Sequence, residues 1–257
     1  MKKASVITVC FNSELTIADT ISSVADQVYP ELEHIIIDGN STDETLEIAR
    51  TFVNDRMLIK TEDDQGIYDA MNKGISIASG DVIFILNSDD VFNDSNVVAK
   101  IMERFNANEL LDMVITNVTF NKFDKPGKPI SRYISVKNYN FKLLRFGWMP
   151  PHPGIVVSRS FYEKNGLYKC WYTIAADYEF VVRAYITNKL VSEKLNLISV
   201  NMRPGGVSTK SLKHNFVITK EIIKAFRENN SHTNVILLLP RLIIKPLVQI
   251  FLKGFRK

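Results

Sequence analysis

At 257 residues, 46% hydrophobic and 23% charged, the chain has the make-up of a globular protein with one substantial core, which excludes a disordered polypeptide. Two widely separated cysteines, Cys10 and Cys170, give no disulfide framework and fit a reduced cytosolic setting. The net charge of +4 is unevenly spread: from Asn201 onward eleven Lys/Arg face two acidic residues, a local +9, so the remainder carries −5.

Lys2-Lys3 and the apolar stretch after them are too short for a signal peptide and lack a small-residue cleavage site, so Ser5–Phe11 reads as a first strand. Ile17, Ile21, Val24 and Val28 then recur at helical spacing. His34–Ile37 is a second strand, closed by Asp38-Gly39. Ser41-Thr42-Asp43-Glu44 has the Ser-x-x-Glu spacing of a capping box and predicts a helix to about Phe52. Met57–Thr61 is a third strand. Ile67, Ala70, Met71, Gly74, Ile75 and Ala78 make one apolar helical stripe ended by Gly80. Val82–Leu86 is apolar throughout, as a strand buried on both faces must be. This β-α-β-α order predicts right-handed crossovers and an α/β fold: a Rossmann-type, mostly parallel sheet flanked by helices.

The second half is less regular. Asp112–Thr116 and Gly154–Ser158 read as strands, the latter after the stiff Pro150-Pro151-His152-Pro153, and Asp177–Ile186 as a helix. Lys125–Pro129 is a turn, and Pro204–Ser208 is a glycine-rich loop. No stretch of about 18 uninterrupted apolar residues is present, which argues against a simple transmembrane helix.

The chemistry gathers at the carboxyl ends of the first four strands. Thr8 to Ser13 follows the first, Asp38 the second, Asp63-Asp64-Gln65-Gly66 the third, and Asn87-Ser88-Asp89-Asp90 the fourth. In open α/β sheets that rim is where nucleotides bind. Adjacent carboxylates there suit Mg²⁺ or Mn²⁺ bridging to a diphosphate, although Ser88 or Asp89 could equally cap a following helix. No glycine-rich phosphate cradle is present: neither G-x-G-x-x-G after the first strand nor G-x-x-x-x-G-K-[ST] occurs. Diphosphate charge would then fall to metal and basic side chains.

Three segments, Thr8-Val9-Cys10-Phe11-Asn12-Ser13, Ile36–Asp43 and Asp64–Gly74, followed in order by Gly80-Asp81 and Asn87-Ser88-Asp89-Asp90, carry a family resemblance. Over roughly residues 4–210 the chain resembles the family 2 glycosyltransferases of the GT-A fold. The resemblance implies that Thr8, Asn12 and Asp38 hold the nucleoside, with Asp69 and Asn72 lining the same pocket. It implies that Ser88 and Asp89 face ribose and diphosphate and that Asp90, with Asp89, binds the metal. Many relatives carry Asp where this chain has Asn87. Ala176-Asp177-Tyr178-Glu179 corresponds to the acidic motif that supplies the base in inverting members. Asp177 is the first choice for that base, Glu179 the reserve, and relatives often have Glu at the place of Ala176. Arg203 and Lys210 flank the glycine-rich loop as candidate diphosphate contacts, and His152, Trp148 and Trp171 are candidates toward the acceptor, each against an ordinary packing role.

Toward the C-terminus, Arg241, Lys245, Gln249 and Lys253 recur every four residues among Leu238, Leu239, Leu242, Ile243, Ile244, Leu247, Val248, Ile250, Phe251 and Leu252. A narrow cationic stripe on a wide apolar helix is the pattern of a membrane-interface segment. Docking on protein is the alternative, and a solvated nucleic-acid arm is disfavoured by the apolar bulk. The expected organisation is a GT-A domain over 1–211, its nucleotide-sugar half about 1–117 and its acceptor half about 118–211, with a helical amphipathic extension over 212–257. The expected function is metal-dependent, inverting transfer of a hexosyl or N-acetylhexosaminyl group from a nucleotide-diphosphate sugar, a UDP-sugar by family habit. The acceptor expected is a lipid-linked glycan of a bacterial surface polysaccharide, met at the cytoplasmic face of the inner membrane. A catalytically silent nucleotide-binding scaffold and a nucleotidyltransferase are the alternatives.

Overall fold

The computed structural model describes residues 1–120, 132–187, 190–203 and 212–241. The predicted alternation is present: β1 (Ala4–Cys10), α1 (Ile17–Ala25), β2 (Leu32–Asp38), α2 (Thr45–Arg50), β3 (Met57–Thr61), α3 (Ile67–Ile77) and β4 (Val82–Ile85). Then come β5 (Val91–Phe92), α4 (Val97–Ala107), β6 (Met113–Phe120), β7 (Arg132–Ile134), β8 (Ile155–Ser158) and α5 (Arg159–Asn165). The chain continues through α6 (Ala176–Thr187), β9 (Ser192–Met202) and α7 (Leu212–Glu228). Single 3-10 segments lie at Phe141–Phe146 and His152–Gly154.

Among the described residues one sheet runs β3-β2-β1-β4-β8-β6-β9-β5, with β7 also paired to β6. The four N-terminal strands are parallel, as their helical crossovers require. Beyond β4 the sheet is mixed: β8 runs antiparallel to both β4 and β6, β9 is parallel to β6, and β5 is antiparallel to β9. Cys10 stands beside Asp38 and Asp38 beside Thr61, so three strands end level on one rim. Ile7 pairs with Ile85, which brings the segment after β4 onto the same rim.

The core explains the strand order. Every residue of β1 is buried, and Val6, Phe84, Val114, Val156 and Val200 meet Val98, Ile101, Met102 and Phe105 of α4 on one face. Each such side chain contributes about 1.5–3 kcal/mol on leaving water. On the other face α3 lies so close to β1 that a Cβ on Gly74 would run into Ile7.

Three local expectations change. α1 stops at Ala25, and Val28 is exposed with its N–H on Ser95 O. The Gln27 amide ends the helix there, donating to Ser23 O and Asp94 O while accepting from Val98 N. The Ser41–Glu44 capping box does not form, because Ser41 Oγ donates to Asp38 instead. Asp43 Oδ1 serves the first turn of α2, accepting from Thr45 N at 3.0 Å. α4, α5 and β9 were not anticipated, although Val97, Val98, Ile101, Met102 and Phe105 have helical spacing.

The chain divides into two compact units. One comprises Met1–Asn138, Pro150–Cys170 and Leu190–Pro204 and holds the sheet; the other comprises Tyr139–Met149, Trp171–Lys189 and Gly205–Lys257. In the second unit α6 packs on α7; Glu221 of α7 accepts the N–H of Ala175 just before α6, and Asn229, just past α7, donates to Glu179. There Leu238 and Arg241, both counted in the expected apolar and cationic tail pattern, are buried. Lys245, Gln249 and Lys253, the glycine-rich Pro204–Ser208 loop, Lys210 and the Lys125–Pro129 turn lie outside the described residues.

Candidate active site

The rim of the first unit is a hydrogen-bonded cradle built from the ends of β1 and β2. Asn12 adopts a left-handed conformation, φ 49°, which Asn tolerates better than most residues. Its Oδ1 accepts from Thr42 N at 2.9 Å, and its own N–H donates to Ser41 Oγ at 2.9 Å. Ser41 Oγ in turn donates to Asp38 Oδ1 at 2.5 Å, and Asp38 is buried. Asp38 and Asn12 therefore fix one loop, 39–42, between them. The third strand's loop closes against it, since a Cβ on Gly39 would run into the Asp64 carboxylate and Asn40 Nδ2 donates to Asp63 Oδ1 at 2.6 Å.

Asp69 lies at the start of α3, where its carboxylate accepts Gln65 N at 3.0 Å and pairs with Lys73 at 3.2 Å. The Gln65 N–H, with Lys73 in support, holds its carboxyl below the usual carboxylate range. Asn72, one turn on, faces Tyr168: its Nδ2 donates to Tyr168 O at 2.8 Å and its Oδ1 accepts Tyr168 N at 3.0 Å. Thr8 is fully buried, with Oγ1 2.9 Å from His34 Nε2. Thr8 and Asn72 thus act beneath and beside the rim, their polar atoms already engaged by protein.

Ser88 meets the β1 end directly, and Asp89 and Asp90 follow it on the same rim. Ser88 Oγ lies 2.8 Å from Ser13 Oγ, joining the β4 and β1 ends. Asp90 is buried, and burial followed by the charge of Asp89 pushes its carboxyl up to about 8. Burial raises Asp89 as well. Asn87 Nδ2 donates to Asp90 Oδ2 at 3.1 Å, and the Arg203 N–H also supports that carboxylate. Arg203 arrives through the β5–β9 pairing, which sets Val91 beside Asn201, and its guanidinium pairs with Asp19.

Two adjacent carboxylates drawn out of water are unfavourable when both are charged, and each is relieved by a cation. Among the described residues no cluster of three His, Cys, Asp or Glu side chains is present. A diphosphate-bridging Mg²⁺ or Mn²⁺ needs only one or two protein carboxylates. The buried Oδ1 of Asn87 has no hydrogen-bond partner and is a further oxygen beside Asp90. The residues fit a hard divalent cation held by Asp90 and Asp89.

The second unit carries the other acidic motif. Asp177 is half-buried at the start of α6, where its Oδ1 accepts Tyr178 N at 2.8 Å. Glu179 is fully buried; Arg183 donates to it at 3.0 Å and Asn229 at 3.1 Å. The structure therefore removes Glu179 as a reserve base and leaves Asp177 as the half-open carboxylate of the pair. Glu221 of α7, which no sequence pattern singled out, accepts the N–H groups of Thr173, Ile174 and Ala175 at 2.7, 3.0 and 2.8 Å. Trp171 at the head of that segment is exposed, and His152 in the first unit lies 3.1 Å from the Tyr168 hydroxyl.

Comparison with known proteins bears on the family and the fold. The family model described as glycosyl transferase family 2 matches residues 5–171. A PGL/p-HBAD biosynthesis glycosyltransferase of Mycobacterium tuberculosis is 27% identical over 224 residues, covering 86% of this chain and 82% of the relative. Among solved structures, residues 1–349 of Staphylococcus aureus TarS in complex with UDP-GlcNAc superpose with a TM-score of 0.68 at 18% identity, over 87% of this chain and 66% of that one. The mannosyltransferase PcManGT of Pyrobaculum calidifontis, in complex with GDP-Man and Mn²⁺, gives 0.65 at 14% identity, over 91% and 65%. This chain spans just under two thirds of each of those two structures.

Proposed function

The chain belongs to glycosyl transferase family 2, and on that premise we propose an inverting transferase that moves a sugar from a UDP-sugar to a hydroxyl of a lipid-linked glycan. The observation that carries the donor side is the Asp89-Asp90 pair, Asp90 buried and pushed up to about 8 beside a partly buried Asp89, on the same sheet rim as the Asn12–Asp38–Ser41 cradle. UDP-GlcNAc in one structural neighbour and GDP-Man in another support a nucleotide-diphosphate sugar. The glycolipid-pathway name of the mycobacterial relative supports a lipid-linked acceptor.

In this reading Asn12, Asp38 and Asp69 shape the nucleoside pocket, with Thr8 and Asn72 holding its walls from behind. Ser88 and Asp89 meet ribose and diphosphate. A bound Mg²⁺ or Mn²⁺ at Asp90 and Asp89 would supply positive charge to the departing diphosphate. Arg203 adds a fixed cation on the same side, restrained by Asp19. Asp177 takes the proton of the acceptor hydroxyl as its oxygen attacks the anomeric carbon, and the diphosphate leaves from the opposite face, inverting the centre. The Asp177 backbone lies at a helix N-terminus, where a carboxylate is favoured.

The protein works at the cytoplasmic face of the inner membrane, held peripherally through its basic, apolar C-terminal segment. No helix among the described residues is long and apolar enough to cross a membrane. The deciding experiment is thermal shift with UDP and GDP, with and without Mn²⁺, in wild type and Asp90→Ala. Manganese-dependent stabilisation by UDP that is lost in Asp90→Ala is expected. Stabilisation by GDP alone would change the donor, and no response to either nucleotide would overturn the reading.

A further inference from the structure

The 3-10 segment Phe141–Phe146 is held rigidly from below. Asn140 Oδ1 accepts Lys142 N at 2.9 Å, Phe141 stacks on Tyr185 with ring centroids 5.4 Å apart, and the Tyr178 hydroxyl donates to Leu144 O. Leu144 is buried and Gly147, in the left-handed region at φ 79°, ends the segment. A free turn would hide its apolar residues or leave them mobile. This one fixes Lys142, Leu143, Arg145 and Phe146 on the outside.

A second apolar segment adjoins it. Thr233 Oγ1 donates to Arg145 O at 2.7 Å, and a Cβ on Gly147 would lie 2.6 Å from Arg241 Cδ and 3.2 Å from Leu238. With Leu238 and Arg241 turned inward, the 235–241 helical turn exposes Val235, Ile236 and Leu239. The five apolar side chains of the two segments are 37–75% exposed. A monomer in water rarely carries such a group without a use for it.

Charge identifies the occupant. No Asp or Glu occurs in residues 139–149 or 229–241, and Lys142 and Arg145 stand exposed beside Leu143 and Phe146. Fixed aliphatic and aromatic side chains with exposed Lys142 and Arg145 among them match an anionic lipid surface. A protein partner of ordinary mixed charge would not require two acid-free segments.

We propose that Phe141–Phe146 and residues 235–241 together form a membrane-contact face, seated on anionic lipid headgroups, with Leu143 and Phe146 entering the interface and Lys142 and Arg145 meeting phosphates. The inference rests on the proposed membrane location and adds to the C-terminal segment a second, structurally fixed contact. Tyr178 binds the Leu144 carbonyl and is the residue after Asp177, so the same contact ties the lipid-facing turn to the helix that carries the proposed base.

The test is co-sedimentation of the full chain with vesicles of phosphatidylglycerol in phosphatidylcholine, and of phosphatidylcholine alone. Wild type is expected on the anionic vesicles, and Leu143→Glu/Phe146→Glu to lose at least tenfold of that partitioning. Leu110→Glu, at an exposed loop of the first unit, is expected to bind as wild type. Should the double variant lose its thermal transition, Lys142→Glu/Arg145→Glu, confined to exposed cations, is expected to abolish the preference for anionic over neutral vesicles. Wild-type partitioning by either variant would assign membrane binding to the C-terminal segment alone and overturn this face while leaving the location intact. No binding of wild type to anionic vesicles would overturn both. A variant that keeps its vesicle binding but loses a dimer in sedimentation equilibrium would make the face a self-association surface and also overturn the proposal.

Discussion

Asn72 on α3 satisfies both main-chain polar groups of Tyr168, donating to its carbonyl at 2.8 Å and accepting its N–H at 3.0 Å. Its second amide hydrogen has Cys170 Sγ at 3.3 Å. A carboxamide used on three sides is a clamp on the 168–170 segment. Asn72→Ala leaves both Tyr168 groups without that partner and is expected to cost about 1–3 kcal/mol in urea unfolding. UDP affinity should stay within about threefold, under 1 kcal/mol. Tenfold weaker UDP binding with unchanged stability would put Asn72 inside the nucleoside pocket.

The two acidic residues at the start of α6 should separate cleanly. Glu179 is fully buried against Arg183 and Asn229, so Glu179→Ala strips a partly buried cation of its carboxylate and is expected to cost about 3–5 kcal/mol. Asp177 is half-buried, and Asp177→Asn should alter stability by less than about 1 kcal/mol while lowering turnover of a UDP-sugar about 10²–10⁴-fold. The paired readout is urea unfolding and UDP release from the UDP-sugar that stabilises the protein most. A stable Asp177→Asn with wild-type turnover would end its role as base.

His34 sets a pH dependence that opposes that of Asp90. Burial holds His34 down to about 3, so between its unfolded value of about 6.5 and 3 only the unfolded chain binds the extra proton. Stability from this group therefore falls as pH is lowered below about 6.5, by up to about 1.4 kcal/mol per unit. Asp90 is raised to about 8, so the folded state holds the proton from about 4 to 8 and its contribution falls as pH rises. Comparison of wild type with His34→Asn cancels the Asp90 effect. The variant should be less stable at pH 7, having altered the 2.9 Å contact to Thr8, and the deficit should shrink or reverse at pH 5. A deficit that is constant from pH 7 to 5 would show His34 to be titrating normally.

The parallel half of the fold was legible because its strands are short apolar runs that end in polar clusters, and register alone brings those ends level. Cys10 beside Asp38 beside Thr61 follows once three strands are recognised. β9 was not legible: its first part, Ser192 to Leu197, alternates exposed and half-buried residues, and nothing in that pattern names β6 as its partner. The arrival of Arg203 at Asp90 depends on that missed strand and on the two-residue β5, so sequence placed Arg203 only on a loop flank. Ser41 shows the opposite failure. Its spacing to Glu44 fits a capping box, yet the buried Asp38 carboxylate is the stronger acceptor for its hydroxyl, and a long-range requirement displaced a local one.

Glu221 was invisible for the same physical reason and yields the sharpest test of the second unit. The first N–H groups of a helix and its lead-in have no intrahelical acceptor. Here three of them, Thr173, Ile174 and Ala175, converge on one carboxylate from α7, while Glu228, seven residues along the same helix, accepts the Tyr172 hydroxyl at 3.1 Å. Two carboxylates on one face of α7 thus hold the segment that leads into Asp177. Glu221→Ala should cost about 1–3 kcal/mol, because it removes the acceptor of the buried Ala175 N–H and of two less buried donors. Amide exchange at 173–175 should accelerate at least about tenfold, the kinetic counterpart of losing about 1.4 kcal/mol of local protection. Exchange in α3 should not change, since its hydrogen bonds lie in the other unit. Glu221→Gln keeps one accepting oxygen and replaces the other by a donor facing an N–H, so it should fall between wild type and Ala at Thr173 to Ala175. Uniform acceleration throughout the protein would mean that Glu221 contributes only to global stability, and unchanged exchange at Ala175 would mean that water replaces the carboxylate without loss.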